Sequence, residues 1–371
     1  MTDYQSFLAY LQTGHGISRE FLRLYLEHVS RKELQDSQIE TALQSVIDDP
    51  VRSMWFSYVV STNLRGRQFC EMLHRFHALH GGRYLDVGCA YGGFLVGFYE
   101  RGFEVVGLEI DSELIDLGNI NLKSNSVSGL IIKGDILESG TIHQLGKFDV
   151  ITCNDVIEHV ADADTAMDHM VALLGDGGAL VLEIPNKDYL GFVASDGHYN
   201  LFGITLLRKQ QAVKYYGAYF DEPYTVGEYY DLHHYQHRLA SAGCDVFVLP
   251  ARYSPDFQDI DQIRSGLGAT DRYSTVTTGF SRWLYRFVKP GFHVGRALYQ
   301  IARLLRNYVK FILGSGPSIP KELRNSISRN FSKYMRDMIL DIVPAIVNKS
   351  KRREFEQKYL MPTWLVMARK M

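Results

Sequence analysis

The stretch R-Y-L-D-V-G-C-A-Y-G-G at residues 83–93 decides the fold of this chain. It begins as a short apolar strand, passes through a turn of small residues and enters a helical pattern that ends near Gly102. Such a turn lets a ligand approach the backbone, and the helix that follows offers unpaired N–H groups. Roughly twenty residues further on, Glu109 ends the next strand-like segment, where a carboxylate can accept hydrogen bonds from both hydroxyls of a ribose.

A dinucleotide-binding turn is the rival interpretation of this stretch. Gly88, Ala90 and Gly93 nearly match the spacing G-x-G-x-x-G. However, Ala90 replaces the glycine at which a pyrophosphate must come close to the backbone, and Asp86 puts a carboxylate where an anionic pyrophosphate would be repelled. A cationic ligand with an ammonium and a sulfonium group suits these residues, so the electrostatics favour S-adenosylmethionine.

The hydrophobic pattern around this stretch predicts an α/β fold. Residues 3–79 have apolar side chains at helical spacing, and strand-like runs then alternate with helices. Seven runs read as strands of a sheet covered on both faces, at 83–87, 104–110, 129–135, 148–155, 178–186, 244–250 and 363–370. Thr225 and Glu228 form the pattern of a capping box and predict that a helix starts there.

Five motifs in this order resemble class I S-adenosylmethionine-dependent methyltransferases. They are D-x-G-x-A-x-G from Asp86, the acid Glu109, G-D-I at 134–136, N-D-V-I-E-H-V at 154–160 and L-G-D-G-G at 174–178. The E-H-V element is similar to that of the ubiquinone-biosynthesis O-methyltransferases and their small-molecule relatives. The segment at 198–207, which begins with His198, loosely resembles that of bacterial surface-polysaccharide methyltransferases. The resemblance covers about residues 83–249 and the terminal strand.

The resemblance implies a Rossmann-like methyltransferase fold with a mostly parallel seven-stranded sheet and a reversed last strand. Three parts then follow along the chain. We expect an N-terminal helical cap at 1–80 and a core at 81–250, completed by 361–371 and carrying a lid insert at 187–223. A helical insertion rich in basic and aromatic residues is expected at 251–360.

The same resemblance implies S-adenosylmethionine as the cofactor and assigns residues to it. Asp86 and Gly88 would hold the methionine end, and Glu109 would hold the ribose. Asp135 and the backbone of Ile136 would flank the adenine, with Asn154 beneath the methionine moiety. The predicted cofactor-binding residues are Asp86, Gly88, Ala90, Gly92, Glu109, Ile110, Asp135, Ile136, Asn154 and Asp155.

Catalytic candidates follow the fourth strand and lie in the lid. His159 lies close to the expected position of the transferred methyl group and is a candidate general base. Glu158 beside it is a weaker candidate, and His198 in the lid is a candidate base or acceptor ligand. Each histidine has the alternative of a purely local structural role. Because methyl transfer depends largely on positioning, the reaction does not strictly require a base.

Three histidines in one helical segment, His233, His234 and His237, have a spacing that suggests metal ligands, but no H-E-x-x-H motif accompanies them. We therefore predict no metal site and place them at the rim of a helix packed on the sheet. The many aromatic residues of the lid have two interpretations: they stack on an acceptor, or they pack the lid itself.

Residues 272–320 contain eight basic residues interleaved with aromatic ones and no Asp or Glu. This composition is typical of an interfacial helix on an anionic membrane surface. The alternatives are a solvated basic face or a patch that holds a phosphate. The net charge of -2 gives no general attraction to nucleic acid, so no nucleic-acid partner is predicted. Four scattered cysteines and the absence of a secretory pattern suggest a cytoplasmic protein, peripheral on the inner face of the membrane if the basic segment binds lipid.

Three functional hypotheses remain. The first is O-methylation of a sugar or glycan precursor, for which lipid-linked and nucleotide-linked forms are both open. The second is methylation of a soluble quinone, phenol or other metabolite. The third is a non-catalytic, membrane-associated protein that binds S-adenosylmethionine. The identity of the acceptor and of the methylated atom does not follow from the sequence.

Overall fold

A seven-stranded sheet forms the centre of the computed structural model, which describes residues 4–249, 292–314 and 319–371. Its strands are β1 (Gly82–Val87), β2 (Phe103–Glu109), β3 (Gly129–Lys133), β4 (Phe148–Asn154), β5 (Leu174–Pro185), β6 (Cys244–Val248) and β7 (Thr363–Lys370). Their order is β3-β2-β1-β4-β5-β7-β6. β1 to β5 pair in parallel, whereas β7 runs antiparallel to both β5 and β6. The predicted mostly parallel sheet with a reversed last strand is confirmed.

The strand order places the candidate site. β1 lies between β2 and β4, so the chain order reverses at the β1–β4 pair. In open α/β sheets, ligands bind outside the carboxyl ends of the strands at such a reversal. Asp86 and Asn154 stand near the carboxyl ends of these two strands, at the point where a crevice is expected.

Helices cover both faces of the sheet and continue beyond its last parallel strand. The N-terminal ones are α1 (Tyr4–Tyr10), α2 (Arg19–Ser30), α3 (Ile39–Asp48), α4 (Pro50–Val60) and α5 (Thr62–Phe76). Those between the strands are α6 (Gly93–Tyr99), α7 (Ser112–Ser124), α8 (Ser139–Leu145), α9 (Ala163–Leu173), α10 (Leu190–Ala194), α11 (Lys209–Tyr216) and α12 (Leu232–Ser241). The last ones before β7 are α13 (Phe292–Ile312), α14 (Lys321–Val347) and α15 (Lys349–Phe355).

The predicted start of α12 is wrong. Asp231 caps this helix by accepting a hydrogen bond from the backbone of His234, so Thr225 and Glu228 form no capping box. The Glu228 carboxylate instead accepts from the backbone N–H of Lys209, and residues 225–230 run as a loop. This difference matters because the loop passes over the candidate site.

The lid and the insertion helices share a hydrophobic core of their own, separate from the cores on the two faces of the sheet. Phe202 of the lid packs against Tyr308 and Phe311 of α13 and Phe331 of α14. Among the helices that the structure describes, none has the length and apolarity needed to cross a bilayer. Part of the predicted basic segment, including Arg272, Arg282, Arg286 and Lys289, lies outside the described residues.

Helix α5 fastens the N-terminal helices to the sheet. Its residue Gly66 faces Gly93 and Gly97 of α6, and a Cβ atom at any of the three would collide with backbone of the facing helix. A buried pair of amides adds to this contact. Asn63 donates to the carbonyl of His15 and to Oδ1 of Asn121, while Asn121 donates to Asn63 and to the carbonyl of Tyr91.

We predict that Asn121→Ala lowers the free energy of unfolding by about 2–4 kcal/mol, because it removes the donor to two buried acceptors, the Tyr91 carbonyl and the side-chain oxygen of Asn63. Urea denaturation followed by circular dichroism measures the change. Asn119→Ala is the control, since Asn119 is exposed on the same helix, and its effect should stay within about 0.5 kcal/mol. Equal effects of the two substitutions would contradict the role of the amide pair.

Candidate active site

Asp86 is a buried carboxylate at the end of β1. Its Oδ1 accepts a hydrogen bond of 2.7 Å from the hydroxyl of Thr152 on β4. The Thr152 oxygen in turn lies 2.5 Å from the Tyr84 hydroxyl, which must be the donor because the Thr152 proton is already used. Burial raises the pKa of Asp86 to about 7, against the opposing effect of the Thr152 hydrogen bond. The side chain is thus held rigidly and favours a cation beside it.

The turn after β1 has the open backbone that the sequence predicts. Gly88 has a φ of +73°, and a Cβ there would collide with the side chain of Val156 from the loop after β4. Gly92 also has a positive φ and precedes α6. Ala90 adopts a φ of +42°, a left-handed conformation that is unfavourable for a residue with a side chain. The predicted turn residues therefore come together beside the loop after β4.

Glu109 holds this turn in place from the end of β2. Its carboxylate accepts hydrogen bonds from the backbone N–H groups of Ala90, Ile110 and Asp111. A carboxylate has about four acceptor positions, so one remains for a ligand hydroxyl. Beside it the Ile110 side chain is 65% exposed, which leaves an apolar surface next to the carboxylate.

The loop after β3 joins the same edge of the sheet. Gly134 donates its N–H to the carbonyl of Glu109, which brings the loops after β2 and β3 together. Asp135 is half-buried and accepts from the backbone of Leu137. Ile136 points its side chain into the core, and its carbonyl accepts from His169. Asp135 therefore remains at the rim, whereas only the backbone of Ile136 can face a ligand.

Several buried polar atoms near the carboxyl ends of β4 and β5 have no hydrogen-bond partner among the described residues. They are both amide atoms of Asn154, both carboxylate oxygens of Glu158 and one oxygen of Glu183. Asn154 and Glu183 are direct neighbours across the β4–β5 pair. Burial raises the pKa of Glu158 well above its usual range and that of Glu183 to about 8. Such a group of unsatisfied atoms is expected where a polar ligand binds.

Sequence reasoning did not identify Arg65 and Glu183. Arg65 comes from α5, and its guanidinium lies 3.8 Å from the centre of the Tyr58 ring. It also lies 4.0 Å from the carboxylate of Asp155, a residue with a φ of +52° in the loop after β4. The guanidinium is buried above the ends of β1 and β4, so the N-terminal helices contribute a cation to the site.

The structure brings the two predicted histidines together. The rings of His159 and His198 lie 5.0 Å apart, centre to centre, in an edge-to-face arrangement. His159 Nδ1 is 3.1 Å from the Thr225 carbonyl, an acceptor only, so Nδ1 carries the proton and Nε2 is free to accept one in the neutral ring. Nε2 lies 3.9 Å from Glu158. Burial lowers the pKa of His198 to about 4, so this ring is neutral at physiological pH, and its Nδ1 contacts the Tyr229 hydroxyl.

Glu158, His159 and His198 also have the chemistry of a cation site. One ligand atom from each lies within 4.8 Å of the others, and carboxylate and imidazole groups are common metal ligands. The three histidines of α12 form no such group among the described residues. His234 pairs with Asp164, and the rings of His233 and His237 stack 6.0 Å apart on the surface of the helix.

Comparison with known proteins identifies the family. The family described as "Methyltransferase domain" matches residues 62–248, about half of the chain. The matched region begins at Thr62, so it contains α5 and Arg65 as well as β1 to β6.

Curated relatives match a shorter segment. A ubiquinone biosynthesis O-methyltransferase from Psychrobacter cryohalolentis is 30% identical over 111 residues, which are 30% of this chain and 43% of that protein. One from Xanthomonas campestris pv. campestris is 30% identical over 115 residues, or 31% of this chain and 48% of the relative. The chain thus spans less than half the length of these relatives.

Among solved structures, the chain is similar to magnesium protoporphyrin IX methyltransferase from Synechocystis PCC 6803 with bound SAH. The identity is 15%, with 68% of this chain and 95% of the other covered and a TM-score of 0.38.

Proposed function

The chain belongs to the methyltransferase domain family, and from this premise we propose that it transfers a methyl group from S-adenosylmethionine to a hydroxyl of a sugar or glycan precursor. The cofactor supplies the methyl group on a sulfonium cation. The observation that supports a polyhydroxylated acceptor is the dense polar lining above the end of β4. Imidazole, hydroxyl and carboxyl groups meet there: the His159 and His198 rings lie 5.0 Å apart, His159 Nε2 lies 3.9 Å from Glu158, and His198 Nδ1 contacts the Tyr229 hydroxyl.

The residues present fit the cofactor by charge. Asp86 would hold the ammonium of the methionine moiety, because burial disfavours its ionised carboxylate and a cation beside it would stabilise that form. Arg65 would hold the carboxylate of that moiety, and the amide of Asn154, whose atoms have no partner among the described residues, would be available to either group. Glu109 would accept from one ribose hydroxyl, with exposed Ile110 and the rim residue Asp135 beside the adenine.

His159 would act as the general base. The Thr225 carbonyl fixes its proton on Nδ1, so Nε2 would take the proton of the acceptor hydroxyl as the oxygen–methyl bond forms and the sulfur–methyl bond breaks, with a neutral thioether as the leaving group. His198 would act differently, because its lowered pKa makes it a poor base and leaves it as a neutral hydrogen-bonding group in the lid. The two imidazoles would thus bind different parts of one acceptor.

A soluble quinone or phenol is the second candidate acceptor, because the curated relatives are ubiquinone biosynthesis O-methyltransferases. The packing of the aromatic rings in the lid gives a quinone or phenol acceptor less support. The Tyr199 ring packs against Tyr216 and Tyr224 with ring centres 4.5 and 5.3 Å apart, and Tyr216 stacks on Phe220. These rings are already occupied with one another, which favours the interpretation that they pack the lid.

We place the enzyme in the cytoplasm. The four cysteines are all buried and free, as suits a reducing compartment. A lipid-linked acceptor would bring it to the inner face of the membrane.

Cofactor affinity should depend on pH through Asp86. We predict that S-adenosylhomocysteine, which keeps the ammonium, binds about tenfold more weakly at pH 6 than at pH 8, because a carboxyl with a pKa of about 7 is mostly protonated at the lower pH. Isothermal titration calorimetry measures the affinity. Asp86→Asn should bind weakly at both pH values, with exposed Asp176→Asn as the control. An unchanged pH dependence in a folded Asp86→Asn protein would assign the effect to another group.

Transfer of a labelled methyl group into an extract of the source cells tests the acceptor. We expect label in carbohydrate that glycosidases release, found in the lipid or the polymer fraction, and none with Asp86→Asn. Label in small aqueous aromatic molecules would replace the sugar proposal with the quinone or phenol candidate. Binding of S-adenosylhomocysteine without label in any fraction would support a non-catalytic binding protein.

Loss of the base should slow the reaction without weakening cofactor binding. We predict that His159→Gln lowers kcat by about 10²–10⁴-fold, and that part of the loss is recovered as the pH rises and the acceptor hydroxyl ionises. His143→Gln is the control, because this exposed histidine also contacts a backbone carbonyl through Nδ1 but lies on α8. Full activity of His159→Gln would show that His159 is not the base and that positioning of the acceptor contributes most to the rate of methyl transfer. Loss of wild-type activity in EDTA, restored by Mg²⁺, would instead assign Glu158, His159 and His198 to a cation.

A further inference from the structure

Helix α13 presents an apolar stripe to solvent. Leu304, Tyr308 and Phe311 point toward the lid core. On the adjacent side, Leu305, Val309 and Ile312 recur at spacings of four and three with exposed fractions between 45% and 53%. Tyr299 earlier in the helix and Leu313 just after its end are 54% and 78% exposed. A helix that is apolar on two sides needs a second apolar neighbour, because solvent alone does not stabilise the outer stripe.

The second half of α14 continues the same surface. Its exposed apolar residues, between 54% and 86% accessible, are Ile339, Leu340, Val343, Ile346 and Val347. Leu305 and Tyr308 of α13 line one open groove of about 510 Å³ together with Met335, Ile339 and Leu340 of α14. The two stripes are therefore adjacent and form a single apolar surface, called here the α13–α14 face. Exposed apolar areas of this kind on one molecule mark interaction sites.

Basic residues border the α13–α14 face. Helix α13 carries Arg303, Arg306 and Lys310 and no acidic residue. The chain that leaves α14 begins with Lys349, Lys351, Arg352 and Arg353. Among the described residues, Arg306, Lys349 and Arg353 form no ion pair, so their charge is available to an anionic partner.

We propose that the α13–α14 face docks on the anionic surface of a lipid bilayer, with its apolar side chains at the level of the acyl chains and its basic border on the headgroups. Apolar residues bordered by Lys and Arg are the pattern of interfacial helices. A second copy of the chain is less suitable, because a two-fold contact would bring two basic borders together.

Docking would place the lid beside the membrane. Asn307 of α13 donates to the carbonyl of Ala194 at the end of α10, and Phe311 packs on Phe202 of the lid. The inner side of the docked helix is thus part of the core that forms the lid. A lipid-linked acceptor would then reach the active site without leaving the bilayer. This step rests on the proposed function.

Flotation of the full-length protein with vesicles tests the proposal. We use phosphatidylcholine vesicles with and without 30% phosphatidylglycerol, and expect binding to the anionic vesicles that falls at high salt. The double variant Leu305→Gln/Ile339→Gln should bind at least tenfold more weakly. Val51→Gln/Met54→Gln is the matched control, because these residues are 56% and 49% exposed on α4, and it should bind like the wild type.

Three results would overturn the proposal. The wild-type protein could fail to float with either vesicle, or the face variant could float as well as the wild type. In the third, the wild-type protein sediments as a dimer, the face variant sediments as a monomer, and neither floats. The α13–α14 face would then be an interface between two copies of the chain. Calorimetry with S-adenosylhomocysteine on the same variants should give wild-type affinity. A failure of membrane docking is therefore distinguishable from a failure of the methyltransferase proposal.

Discussion

The contact between α5 and α6 is the constraint on which the active site depends. Gly66, Gly93 and Gly97 let the two helices touch at backbone distance, and no other residue type fits at any of the three positions without displacing backbone. This contact holds α5 above the carboxyl ends of β1 and β4. It thereby delivers Arg65, a buried cation, to a site whose strand residues are mainly acidic. Without the close crossing, the acids would lose the charge of Arg65.

The buried acids around Arg65 show why a charged ligand suits this site. Asp86, Glu158 and Glu183 all have raised pKa values because burial disfavours their ionised forms. An acid whose pKa is raised in the folded state lowers stability as the pH rises above the range in which the unfolded chain ionises. The fold therefore carries a stability cost at neutral pH that binding of an ammonium and of hydroxyl groups would reduce. Functional sites are where such costs are usually found.

The sequence allowed the sheet and the turn after its first strand to be predicted because their signals are local. Each strand is a short apolar run, and Asp86, Gly88 and Glu109 lie in or beside the strands that position them. Arg65 and Glu183 escaped prediction because their roles arise from contacts between segments far apart in the chain. The predicted start of α12 was wrong for a similar reason. Thr225 and Glu228 have the spacing of a capping box, but tertiary contacts use the groups that would cap the helix. The Tyr199 hydroxyl bonds to both the hydroxyl and the backbone N–H of Thr225, and the Glu228 carboxylate accepts from Lys209.

The division of the molecule into separate hydrophobic cores has a consequence for specificity. The residues proposed to bind the cofactor lie beside the core of the sheet, whereas the lid packs on the core that it shares with α13 and α14. The polar links that the structure describes between the two include the bonds from Asn186 to the carbonyls of Gln357, Lys358 and Met361, from Trp364 to that of Gln357 and from Tyr334 to that of Asp188. Changes in the insertion helices would therefore alter the lid and leave Asp86, Glu109 and Arg65 in place. Acceptor choice can vary in this architecture while the binding of the methyl donor stays constant.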